Sequence, residues 1–435
     1  MQLNKNEYGT RRRKRRLTGA QRRLTRVQTR LTRARCRAAA CVFAILGLLS
    51  HTVARAAEDA HAHHGKPEGI RAGVTSFDVC ADAARIHMLT VSRDADLNVN
   101  FEHVQSTDGG ETWSEPIAVG QGQPMPEIAR RGQDIQIAAM GNRCIAIWTT
   151  KGTTNRFGRG PLATSISSDG GKTWSPGANP ADDDSADDHS FVDIVADDQG
   201  VFHAAWLDAR NGSKGLIYAQ STDGGVSWKK NVTLDPETCE CCWNTIVAAP
   251  GGRVLVLYRE REPRDMAVIR SDDGGKTWES SQVVGRFDWN ITACPHVGGG
   301  LAISGAGATE TLFSTVWTGE ANTFGTYFLR QKMSDARWEN PRPLGDKESQ
   351  HTDVACDESS VAAVWDAFTP TGTAIFASTS IDAGQTWSAI ERLTPDGTTA
   401  THPRIVKTDT GYRVFWTQQR GTAVPAWASK AISRR

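Results

Sequence analysis

The sequence has no long hydrophobic run. Its most apolar stretch, Ala38 to Leu49, is too short to span a bilayer comfortably. Basic charge is also missing where a nucleic-acid binder would carry it. Of the 50 Lys and Arg, 15 fall in residues 1–56 beside a single acid. The remainder holds 35 basic against 48 acidic residues, a charge near −13. That balance excludes nucleic acid and anionic membrane as expected partners. Tyrosine is scarce as well. Beyond residue 56 only Tyr218, Tyr258, Tyr327 and Tyr412 remain, each inside an apolar strand pattern that reads as core.

What is present begins with a basic segment, Arg11 to Arg37, then the short apolar run, then Val53-Ala54-Arg55-Ala56. A positive region, a short apolar core and a small-x-small site predict an export signal over 1–56, cut near Ala56. An Arg-rich nucleic-acid arm or an overlong start are the competing readings. Export places the mature protein in a bacterial periplasm or outside the cell, with no membrane span. Residues 57–68 form a polar leader carrying His61, His63 and His64.

The most informative feature is a repeated turn. Ser106 to Trp113 recurs as Ser167 to Trp174, Ser221 to Trp228, Ser271 to Trp278 and Ser380 to Trp387, with a worn copy at Ser334 to Trp338. The pattern Ser-x-Asp-x-Gly-x-Thr/Ser-Trp predicts a self-sufficient hairpin corner. Its Asp accepts from the turn's own N–H groups, its Gly supplies positive φ, and its Trp plugs the gap between sheets. Upstream of each box lies an apolar strand, and the series counts seven: Ile86 to Val91, Cys144 to Trp148, Phe202 to Trp206, Val254 to Tyr258, Leu312 to Trp317, Val361 to Trp365 and Arg413 to Trp416. Strands at this density predict an all-β propeller of four-stranded antiparallel blades over 69–435. Seven blades are expected, with six plus an appendage as the fallback. The last unit has three strands, and 66–74 is the expected closing strand.

These motifs resemble the Asp boxes of the sialidase (BNR-repeat) superfamily across nearly all of the chain beyond the signal. The resemblance implies boxes on the outer corners of the blades, away from the central pocket. For the superfamily's enzymes it further implies three arginines on a substrate carboxylate, a tyrosine activated by a glutamate, an aspartate acid/base and an Arg-Ile-Pro run. Gly69-Ile70-Arg71-Ala72 is the nearest match to that run and lacks the proline, and seven blades exceed the six of true sialidases. No residue is therefore assigned as catalytic. Asp208 and Arg210, and one blade later Arg259, Glu260 and Arg261, follow second strands and are the candidates for a binding rim. Ordinary ion pairing between blades is the alternative reading.

The sharpest local feature is Cys239-Glu240-Cys241-Cys242, followed one blade later by Cys294-Pro295-His296. Both fall where one blade's outer strand ends and the next blade's inner strand begins, so they are expected to be neighbours. Thiolates this dense suit copper(I) or zinc(II), although the spacing is not that of a zinc finger. Disulfides, Cys239 or Cys241 to Cys294, are the competing reading for an exported chain, and the odd total of seven Cys leaves one thiol over. The pairing also resembles a feature of exported sialidase-like proteins that are not sialidases. The expectation is a non-catalytic exported propeller that binds copper or zinc, or a partner that handles the metal. A glycoside hydrolase acting on a glycan with diverged residues, or a scaffold docking another exported protein, are the alternatives.

Overall fold

The structure is a computed structural model and describes residues 72–434 apart from 83–84, 154–157, 184–187, 211, 306 and 336. The export signal, the histidine leader and residues 66–71 lie outside these. Among the described residues, strands form seven antiparallel sheets. Six have four strands, and the seventh, Thr398–Thr408, Gly411–Arg420 and Ala426–Ser433, has three. The blades cover 73–118, 136–176, 190–235, 245–284, 300–343, 349–392 and 398–433, and are numbered here in that order. Their first strands neighbour one another in sequence, and that of blade 7 meets that of blade 1. The chain is an all-β, seven-bladed propeller, and its one helical element among the described residues is a single turn at Gly307–Thr309. Of the segment expected to close the ring, Gly73 and Val74 open the inner strand of blade 1, and the Val74 N–H donates to Pro425 O at 2.9 Å.

The second strands lie where the apolar series put them. Arg143–Lys151, Phe202–Asp208 and Arg253–Arg259 are buried along almost their whole length. Each is sandwiched by a blade on either side, which removes the usual alternation of apolar and polar residues. This is also why position along such a strand does not tell a rim residue from a core one.

Each box closes the turn between the third and fourth strands. In blade 4 the Ser271 hydroxyl donates to Asp273 Oδ1 at 2.8 Å and accepts the Gly275 N–H at 2.9 Å. The Asp273 carboxylate accepts the Thr277 N–H and hydroxyl, at 2.8 and 2.6 Å. The same bonds recur at Asp108, Asp169, Asp223 and Asp382. The hydroxyl and N–H of Thr277 hold Asp273 well below the usual carboxylate range, and in Asp169 and Asp382 the same partners bring it down to about 2.

The boxes also join the blades. Three box Trp rings pack edge-on against a ring of the preceding blade: Trp174 on His103, Trp278 on Tyr218, Trp387 on Phe328. Trp113 of blade 1 meets Phe415 and Trp427 of blade 7, so the first box closes the ring. Beside each Trp, the second box glycine lies against a side chain of that same blade. A Cβ on Gly110, Gly171, Gly225, Gly275 or Gly384 would come under 3 Å from Arg413, His103, Ile166, Tyr218 or Phe328. Two constraints coincide at Gly275, which has φ +79° and faces the Tyr218 hydroxyl, whereas Gly274 has φ +75° and open space. Gly274→Ala should therefore cost only the left-handed backbone term, about 1–2 kcal/mol. Gly275→Ala should cost roughly 1–3 kcal/mol more, for overpacking between blades. Urea unfolding of the two variants checks this, and equal destabilisation would contradict the blade-to-blade contact.

Candidate metal centre

The inner strands begin around one end of the central channel. One register position there carries Asp78 in blade 1, Asp193 in blade 3 and Asp353 in blade 6. Each carboxylate accepts an N–H from the inner strand of the following blade: Ile137 at 2.9 Å, Ile246 at 2.9 Å and Ile405 at 3.1 Å. Burial pushes all three acids up, Asp193 to about 7. Arg404 of blade 7 reaches Asp78 and Asp353, both at 3.3 Å. Burial works against its charge, but these carboxylates outweigh it and hold its pKa above the ordinary value. Two residues upstream of this ring stand Phe191, Trp243, His351 and His402, and all four line the channel mouth with Arg131 and Arg404.

The thiol cluster lies on the connection leading to Trp243. Residues 236–244 join the outer strand of blade 3, Val232–Asp235, to the inner strand of blade 4, Thr245–Ala249. The Thr238 N–H donates to Lys214 O at 2.7 Å and the Cys239 N–H to Arg259 O at 3.0 Å, which pins the loop between the two blades. Ligand atoms of Cys239, Cys241 and Cys242 lie within 4.8 Å of one another, and all three residues are buried. The Cys239 Sγ is 3.3 Å from that of Cys242 and 3.8 Å from that of Cys241. The Cys294 thiol meets Cys241, and His296 donates from Nδ1 to Cys241 O at 3.2 Å. All seven described cysteines are free thiols.

The surroundings favour thiolate. Hydrogen bonding with Cys241 and Cys242 holds the Cys239 thiol well below the ordinary value, assisted by the charge of Arg259. The Arg264 guanidinium donates to the same sulfur at 3.0 Å. Contact with Cys241 lowers Cys294 to about 7, while burial pushes Cys242 up to about 12. The sulfurs thus differ in how readily each gives up its proton to a metal.

The five rim candidates fall elsewhere, and none lines the channel mouth. Arg259 is a brace within the wall: its side chain is buried and donates to Val297 O and Trp317 O at 3.1 and 2.9 Å, and to Arg264 O at 2.6 Å. Its backbone holds Cys239 and its guanidinium the carbonyl beside His296, so it positions both halves of the cluster. Asp208 is buried and accepts from Trp206 Nε1 and Arg210 Nε, both at 2.9 Å, while Arg210 continues to Asp182 at 2.8 Å. Glu260 accepts the Tyr258 hydroxyl at 3.0 Å, and that hydroxyl also lies 2.8 Å from Asp235. Arg261 pairs with Glu237 in the loop before the cysteines. Sequence reasoning missed His351, His402, Arg131 and Arg404, because no local motif marks them. Their signal is positional, since Gln350-His351-Thr352-Asp353 and Thr401-His402-Pro403-Arg404 occupy one register in successive blades. Chelator-treated protein should alkylate at Cys294 with a pH midpoint near 7, and Cys241→Ala should move that midpoint up towards 9. Peptide mass spectrometry after iodoacetamide pulses across pH reads this, and an unmoved midpoint would remove Cys241 as the partner.

Residues 92–302 match the BNR repeat-like domain family. A sialidase of Bacteroides fragilis (strain YCH46) is 26% identical over 216 residues, 43% of this chain and 38% of its own. A sialidase of Micromonospora viridifaciens is 30% identical over 248 residues, 52% of this chain and 37% of its own. The chain thus spans less than two fifths of the length of the curated relatives it matches. Among solved structures, an ulvan lyase, a polysaccharide lyase, superposes with a TM-score of 0.55 at 8% identity, over 83% of this chain and 94% of its own, a likeness of fold alone. Five boxes in register and seven blades accord with this likeness to BNR-repeat proteins.

Proposed function

We propose that the protein is an exported, non-catalytic propeller that binds a soft metal ion through Cys239, Cys241 and Cys242, joined by Cys294 and His296. Copper(I) is the favoured ion and zinc(II) the second. The observation that carries this reading is the convergence of three buried sulfurs within 4.8 Å, with Cys294 touching the group from the next connection. Soft sulfur donors suit copper(I), and a buried sulfur site keeps water and oxidants from it. An exported partner protein that delivers or takes up the ion fits the same reading, with half-buried Cys294 at the accessible edge.

The second reading, a glycoside hydrolase with a diverged site, is favoured by the two sialidase relatives and by the Tyr258–Glu260 hydrogen bond. Against it, burial and nearby Glu260 and Asp235 push the Tyr258 phenol far above its ordinary value, the opposite of what a nucleophile needs. Moreover, this pair lies in the wall between blades 3 and 4, away from the channel mouth. A docking scaffold remains the third use of such a surface.

The full chain loaded anaerobically should hold at least one copper(I) that survives desalting, and Cys241→Ser/Cys242→Ser should lose it while melting at a similar temperature. Elemental analysis reads the stoichiometry. Copper retained by the double variant, or none in the parent, would overturn the proposal. Release of sialic acid from a fluorogenic sialoside at a rate set by Tyr258 would install the hydrolase in its place.

A further inference from the structure

The four sulfurs of the cluster do not touch one another equally. Those of Cys239 and Cys242 are 3.3 Å apart, against 3.8 Å between Cys239 and Cys241. Cys241 is in contact with all three others and is the sulfur that meets Cys294 across the two connections. Cys239 and Cys242 are each 1% exposed, so they form the interior of the cluster and half-buried Cys294 its edge. Cys239 is held on both sides. Its main-chain N–H donates to Arg259 O at 3.0 Å, and its Sγ accepts from Arg264 Nη1 at 3.0 Å. Arg264 also donates from Nε to Ile291 O at 3.3 Å, three residues before Cys294.

Geometry selects which of these sulfurs can join. A disulfide sets its Cα atoms about 4.4–6.8 Å apart and its sulfurs at about 2.05 Å. Adjacent Cα atoms are only about 3.8 Å apart, so Cys241 and Cys242 cannot bridge without strain. Cys239 and Cys242 are three residues apart and already in contact, and their sulfurs need to close by only roughly 1.3 Å. Their Cys-x-x-Cys spacing is that of dithiols that cycle with a disulfide. The cluster also has donors to spare, since four sulfurs and an imidazole exceed the needs of a closed tetrahedral site.

The sulfur site suits copper(I), whereas an oxidising exported compartment offers copper(II). We infer that the cluster reduces copper(II) as well as binding copper(I), with Cys239 and Cys242 as the electron donors. Two copper(II) ions take one electron each. The two S–H bonds break, the Cys239–Cys242 S–S bond forms, and two protons leave to water. Copper(II) enters at Cys294, and Cys241 links that edge to the inner pair. One copper(I) stays on Cys241 and Cys294, and the other is released. The inference rests on the copper reading of this cluster.

Anaerobic addition of two equivalents of copper(II) to the fully reduced full chain tests it. The copper(II) paramagnetic resonance signal should vanish, bathocuproine disulfonate should capture two copper(I) per chain, and the intact mass should fall by two hydrogens. Alkylation of the remaining thiols and cleavage after Glu240 should map the new bond to Cys239–Cys242. Cys239→Ser and Cys242→Ser should each slow the reduction at least tenfold. Cys356→Ser should not alter it, because that thiol lies in blade 6, where it donates to Ile303 O at 3.2 Å. A disulfide mapped to any other pair would overturn the inference, as would copper(II) left unreduced by a parent that holds copper(I). Retention of copper(I) supplied as such judges the copper reading separately, whatever the disulfide map shows. Should a serine variant fail to fold, the parent's disulfide map decides.

Discussion

Blade-to-blade contact through bare backbone is the constraint on which this molecule rests. At five corners a glycine of the box lies where any side chain would strike the preceding blade, and the adjacent tryptophan covers the contact. A blade exposing an apolar face on both sides has no stable existence alone, so the hydrophobic gain appears only as neighbours dock. The corner itself is nearly independent of the rest, since its Ser, Asp and Thr satisfy one another within a few residues. The box thus supplies a pre-folded corner and a docking surface in one motif, and Trp113 against Phe415 and Trp427 carries the same interaction across the ring closure.

A ring made this way converts register into proximity. Residues at one register position of successive inner strands meet around the channel although some fifty residues of chain separate each from the next. Asp78, Asp193 and Asp353 use this to latch onto the next blade's N–H groups. Trp243, His351 and His402 use it to share one mouth. The connections between blades do the same for sulfur, bringing the Cys239–Cys242 loop and the Cys294–His296 loop to one place. Arg259 fastens both loops from behind, with its main chain on Cys239 and its guanidinium on Val297 O. The protein's distinguishing chemistry therefore lies in the connections and bulges, where the ladder bonds do not dictate the sequence.

Legibility in the sequence follows the same division. The box is local and written in eight residues, so the fold could be read from Ser106–Trp113 and its copies, and the count of seven blades from the apolar second strands. The cysteines are adjacent in sequence and occupy equivalent connections, so their convergence was legible too. Arg259 was misplaced on a rim because strands buried on both faces carry no alternation to say which way a residue points. His351 and His402 were invisible for the opposite reason. Each is a lone histidine in a strand, and only the register breaks turn the pair towards the same opening.

We propose that the sulfurs on the connections flanking blade 4 hold a soft metal. X-ray absorption at the copper edge of the full chain, loaded with one equivalent of copper(I), tests it most directly. A first shell dominated by sulfur, with at most one nitrogen from His296, is the expected spectrum, and its loss in Cys241→Ser/Cys242→Ser would assign the donors. A shell of nitrogen and oxygen only, unchanged in that variant, would mean that the cysteines are packing residues and that the metal reading of the propeller is wrong.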